Sequence, residues 1–183
     1  MRCGRRGARD PAFFLDCSAT LPWIFADEVT PASDRLLDDL SSGAQAWVPA
    51  LWPFELGNVL LGAQRRKRID QAGVEAFLAK LKVYAIDVDD QSVAHAWAKT
   101  LDLALLYQLS TYDAAYLELA LRRHLPLSTL DADLIRAAGI TGIGLCLQGA
   151  RGRSPKRSGR SLYWDTDDTR WSMTLAEGFL PKN

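Results

Sequence analysis

Residues 109–138 read LSTYDAAYLELALRRHLPLSTLDADLIRAA. Apolar side chains recur with a helical period over residues 111–123. A short apolar run, LPLSTL at 125–130, then reads as a strand, and a short helix is expected near 132–138. Helix, strand and helix in close succession are the unit from which parallel sheets are built. Two acids stand at its turning points. Asp131 ends the strand and opens the last helix. Asp113 lies in the first turn after Ser110, at the helical phase of Leu117, Ala120 and Leu121, which is the face a core would claim. A carboxylate aimed at that face calls for a reason.

Working outward, the same alternation continues. AFFL at 12–15 suits a buried strand, AWVP at 46–49 a second, YAIDV at 84–88 a third, and IGLCL at 143–147 a last one. Between them, helical periodicity covers 53–66, with Pro53 well placed in a first turn, and then 70–83 and 91–105. A small helix at 33–40 has Ser33 as its candidate N-cap. The pattern predicts an α/β fold with a central, mainly parallel sheet.

The 183 residues fit one domain with an appendage. A net charge of zero hides a segregation: residues 1–9 carry four Arg and no acid, 10–148 carry 11 basic against 18 acidic residues, and 149–183 carry 7 against 4. Residues 1–10 read as a basic, disordered start, 11–148 as the folded domain, and 149–183 as a basic Gly/Ser-rich linker and a tail of undefined structure. An acidic body argues against a nucleic-acid surface built of Lys and Arg alone, though not against one served by metal ions. Three cysteines without a CxxC argue against a disulfide scaffold or a zinc ribbon and point to a reducing cytoplasm. The start of the chain faintly resembles a signal peptide, but Asp16 interrupts its apolar run and no membrane-length stretch follows. His95 and His124 stand alone, outside any metal-ligand spacing.

Four acids share one kind of address. Asp16 ends the first strand (FFLDCSA), and Glu55 opens the helix after the second (WPFELGNVL). Asp113 and Asp131 complete the set. In an open parallel sheet, strand ends and following helix starts meet at one edge, where ligands bind. Singly, each acid has a plain explanation as a cap, a turn residue or a partner for a helix dipole. Together, four like charges would repel and raise one another's pKa values unless a cation intervened. Carboxylate oxygens suit Mg²⁺ or Mn²⁺ rather than zinc.

On these residues the chain resembles the PIN-domain ribonucleases, in particular the VapC-type toxins of bacterial toxin–antitoxin pairs. FLDCSATLPWIFADE resembles their opening strand, with Ser18 after the first acid. VPALWPFELGNVLL resembles the segment of the second acid, with Asn58 three residues on, and YDAAYLELA is the most specific block. The match covers about residues 12–148. The resemblance implies a three-layer PIN-like fold and a Mg²⁺-dependent endoribonuclease, with Mn²⁺ as a substitute ion. Asp16 and Asp113 would hold the metal, Glu55 and Asp131 would complete the pocket, and Ser18, Thr129 and Asn58 would support it. The metal would acidify a water that attacks the RNA phosphodiester. The resemblance further implies a cognate antitoxin, a homodimer, a cytoplasmic location and no membrane partner.

A catalytically silent PIN-like module that binds RNA or protein is the alternative, disfavoured because a scaffold has no need of four unpaired acids. A haloacid-dehalogenase-type phosphatase would want a second Asp where Ser18 stands, and a receiver domain would want an acidic pair and a later Lys. Basic groups at 65–68 and 122–123 read as helix C-terminal charge ahead of RNA contacts. Trp23, Trp52, Tyr112 and Tyr116 read as packing.

Overall fold

The computed structural model describes residues 12–147. The expectations for residues 1–10 and 149–183 lie outside the described residues. Four strands, β1 (Ala12–Leu15), β2 (Gln45–Val48), β3 (Ile86–Val88) and β4 (Leu127–Ser128), form one sheet in the order β3-β2-β1-β4. Every pairing is parallel. Helices flank this sheet, giving the three-layer α/β arrangement expected of a PIN-like fold. The central strand β1 is covered on both sides, so Phe13, Phe14 and Leu15 are all buried, as a continuous apolar run requires.

The chain runs outward from β1 to β2 to β3, then crosses back to place β4 on the other side of β1. The sense of winding therefore reverses between β1 and β4. A crevice opens beyond the carboxyl ends of strands at such a reversal. The ladder pairs Leu15 with Ser128, so Asp16 and Thr129 leave the sheet side by side.

The helices are α1 (Cys17–Thr20), α2 (Pro31–Ser41), α3 (Trp52–Arg65), α4 (Gln71–Leu81), α5 (Ser92–His95), α6 (Leu101–Tyr107), α7 (Thr111–Arg123) and α8 (Ala132–Thr141). Three details differ from the sequence reading. Thr30, not Ser33, caps α2; Ser33 is its capping-box partner, with backbone and hydroxyl groups bonded reciprocally. The helix expected over 91–105 is interrupted by a π-helical segment, Ala96–Thr100. The strand expected over 143–147 is reduced to a single bridge between Leu127 and Leu145. Leu127 exchanges both hydrogen bonds with Gly144 and Cys146. The next turn of chain, at Thr129, leaves the sheet for the Asp16 carboxylate, so no ladder remains to extend.

Helix α7 carries much of the core. Ala114, Tyr116, Leu117, Leu119 and Ala120 are fully or almost fully buried, and the helix packs on β1 and β4. Its far end solves a different problem. Asp89, at 0% exposure, is held by Arg122 and Arg123, each 2.7 Å from a carboxylate oxygen. Arg122 also bonds Glu118, and Arg123 lies 3.8 Å over the Trp47 ring. These arginines do more than complement a helix dipole: they neutralise a buried acid and tie α7 to the segment after β3. Asp89→Ala should therefore lower the unfolding free energy by about 3–5 kcal/mol, because two half-buried guanidiniums lose their partner. Urea denaturation of the two proteins measures it.

Candidate active site

Asp16 is the best-buried of the four acids, at 6% exposure. Its extended backbone places it at the N-cap of α1, and its N–H donates to the Ser128 carbonyl (2.9 Å). The Thr129 hydroxyl donates to Oδ2 of Asp16 at 2.7 Å, and the Ser18 hydroxyl donates to the same oxygen. Ser18 in turn accepts from the Leu130 N–H (2.9 Å), and Thr129 Oγ1 accepts from the Asp131 N–H (3.0 Å). This small net stitches the chain after β1 to the chain after β4.

The other acids stand in first turns or at caps. Asp131 caps α8, its Oδ1 accepting from the Leu134 N–H at 2.8 Å. Ser110 caps α7 by accepting from the Asp113 N–H (3.0 Å), and its hydroxyl donates back to Oδ2 of Asp113 (2.7 Å). Glu55, in the first turn of α3, accepts at Oε2 from the Tyr116 hydroxyl. Asn58 lies exposed one turn further along α3 and takes no part in these bonds.

Asp16, Glu55 and Asp113 respond to burial and to neighbouring carboxylates. Burial pushes the Asp16 carboxyl from 3.8 up to about 6, against the lowering effect of Ser18 and Thr129; the charges of Asp113 and Asp131 add to the rise. Burial pushes Glu55 up to about 8, opposed by Tyr116 and aided by Asp16 and Asp113. Asp113 is raised too, first by burial, then by Asp131 and Asp133 against the Ser110 hydroxyl. Burial, with Asp16 and Glu55 nearby, lifts Tyr116 well above 10, so it stays a hydroxyl donor. Among the described residues no Lys or Arg forms an ion pair with any of the four acids.

Nor, among the described residues, do three or more His, Cys, Asp or Glu side chains gather closely enough to hold a metal ion. Each acid is turned onto a protein donor instead. The donor set still fits a hard divalent cation: carboxylate oxygens only, partly buried, mutually repelling and without a cationic partner. Sequence reasoning missed Tyr116, whose only signal was a tyrosine one turn after an acid.

Arg68, Trp52 and Trp23 have structural duties. Arg68 bonds Asp27 and Glu28 and lies 3.7 Å over the Phe25 ring. Trp52 is buried in the core, and the Trp23 indole donates to the Ser33 carbonyl (3.2 Å).

A four-stranded parallel sheet in the order β3-β2-β1-β4, flanked by helices, defines the class. The chain belongs to the PIN-domain family, whose model matches residues 13–140. Such domains are generally nucleases and typically use divalent metal ions. Among solved structures the chain is similar to PAE2754 from Pyrobaculum aerophilum, with a TM-score of 0.53 at 22% identity over 72% of this chain and 87% of that one. At that identity the likeness shows the fold. A comparison with curated proteins found no match. No helix among the described residues is long and apolar enough to cross a membrane.

The raised carboxyl groups give the metal-free protein a pH signature. A folded-state pKa above the unfolded one favours the protonated form in the fold. That contribution is complete below about pH 4 and is lost as pH rises through about 6 for Asp16 and about 8 for Glu55. For Asp16 the loss is on the order of 3 kcal/mol. In EDTA the thermal midpoint should fall between about pH 5 and 8, and less steeply in Asp16→Asn. Added Mn²⁺ should stabilise more at pH 8 than at pH 5. Differential scanning fluorimetry across pH checks both.

Proposed function

We propose that the protein is a metal-dependent endoribonuclease of the toxin type, restrained by a cognate antitoxin and acting in the cytoplasm. One observation supports the reading: Asp16 feels the charges of Asp113 and Asp131, and Glu55 those of Asp16 and Asp113, with no Lys or Arg paired to any of them among the described residues. Asp16 and Asp113 would hold a Mg²⁺ or Mn²⁺ ion, with Glu55 and Asp131 completing the set. Bound there, the ion supplies an acidified water and positive charge for the phosphate.

The chain's own residues do the positioning. Ser18 and Thr129 fix one oxygen of Asp16, which leaves the other for a ligand. Ser110 does the same for Asp113, and the Leu134 N–H does so for Asp131. Burial keeps bulk water from the Asp16 side of the site. Hydrolysis at this class of site would leave a 5′-phosphate and a 3′-hydroxyl.

Protein partners, an antitoxin and a second copy, fit a further feature. Val93, Trp97, Leu101 and Leu105 recur every four residues and are exposed, Trp97 to 88%. An apolar stripe of this kind on a soluble domain marks an interaction surface.

The silent-module alternative has one observation in its favour, since among the described residues no three acids are drawn together into a cage. One experiment separates the readings. Wild type incubated with total RNA should cut it with Mg²⁺ and not with EDTA. Asp113→Asn should keep the circular dichroism spectrum and lose cleavage by about 100-fold or more. Full activity in that variant would sink the assignment, and no Mn²⁺ binding by wild type would favour the silent module.

A further inference from the structure

Tyr116 sits one turn beyond Asp113 on α7, at 0% exposure. If it served only as packing, a phenylalanine would suffice. A buried hydroxyl costs free energy unless it finds a partner. Here the partner is Oε2 of Glu55, 61 residues earlier in the chain, on α3.

Glu55 is the acid that most needs such a hold. Asp16 has two hydroxyl donors, Asp113 has Ser110, and Asp131 has the Leu134 N–H. All of those donors come from the acid's own local segment or from the neighbouring strand end. Glu55 carries the longer, more rotatable side chain, and the hydrogen bond that its carboxylate accepts comes from Tyr116. At all four acids these bonds fall on one oxygen, leaving the second available.

We propose that Tyr116 is a positioning residue. Its hydroxyl holds Oε2 of Glu55 and leaves Oε1 as the oxygen that takes a cation, so that α7 sets two acids at once, Asp113 directly and Glu55 through the phenol. This rests on the metal-site reading above. Donors behind metal ligands commonly change metal affinity 10- to 100-fold when removed.

The test uses the full chain, with Mn²⁺ as the probe, in wild type, Tyr116→Phe, Glu55→Gln and the double variant. Tyr116→Phe should fold, and its Mn²⁺ affinity by calorimetry should fall by about 10-fold. In the Glu55→Gln background the same change should have no further effect. An equal loss in both backgrounds, or no loss in either, overturns the proposal, as does a Tyr116→Phe protein that does not fold, since the hydroxyl would then serve stability. Metal-free crystals supply an independent readout. Glu55 should leave its place in Tyr116→Phe, and an unmoved Glu55 overturns the proposal. Wild type that binds no Mn²⁺ would count against the nuclease reading, while the crystals would still decide whether the tyrosine holds the glutamate.

Discussion

The parallel pairing of β1 with β4 sets the position of everything chemical in this protein. Leu15 lies level with Ser128, and the Asp16 N–H closes the pairing on the Ser128 carbonyl. Asp16 and Thr129 are therefore the first residues beyond the sheet on two adjacent strands, and their side chains meet at 2.7 Å. Because β1 is central, the residue at its end is walled in by the helices that cover it. A short side chain there is buried whether or not it is polar. The carboxylate is thus a fixed cost of the topology, and the hydroxyls of Ser18 and Thr129 offset only part of it, since burial still dominates the shift of its pKa.

Helix α7 shows two treatments of buried acid in one element. At its C-terminal end, Asp89 receives two guanidiniums and the Ser92 hydroxyl, and its carboxyl is held below the usual range, with burial outweighed by Arg122, Ser92 and Arg123 together. At its N-terminal end, Asp113, Asp16 and Glu55 receive hydroxyls and no guanidinium among the described residues, and are shifted upward. The fold evidently has the means to neutralise an acid with arginine. Among the described residues no Lys or Arg is paired with the acids at the sheet edge.

Much of this was legible in the sequence because it depends on local pattern. The strand AFFL and the helix at Thr111–Arg123 are continuous or periodic apolar runs, and the four acids follow strand ends or open helices by simple adjacency. What escaped depends on contacts distant in sequence. Nothing local to Tyr116 reveals Glu55, 61 positions away, and nothing near Asp89 reveals Arg122 and Arg123. The strand expected at 143–147 had the right composition, but its length was set by its neighbour, whose ladder ends after two residues. Ser33 was misread as a cap because Thr30, followed by proline, offered the same chemistry one turn earlier.

The arginines and the acids together constrain how a polyanion could be handled here. Arg68, Arg122 and Arg123 are occupied by Asp27, Glu28, Asp89 and Glu118, and two of them also stack on aromatic rings. Releasing any of them to a phosphate would expose a carboxylate in exchange, so they are poor candidates for counterion-releasing contacts. RNA approaching the sheet edge would meet the acids first, and the Coulomb term between phosphate and carboxylate is repulsive. A divalent ion held there would reverse that sign for both parties at once: it would relieve the repulsion that adds to the burial-driven rise of Asp16, Glu55 and Asp113, and it would give the phosphate a positive partner. Binding of metal and binding of RNA should then favour each other, which is why the silent-module reading fits the charge distribution less well than a metal-dependent nuclease does.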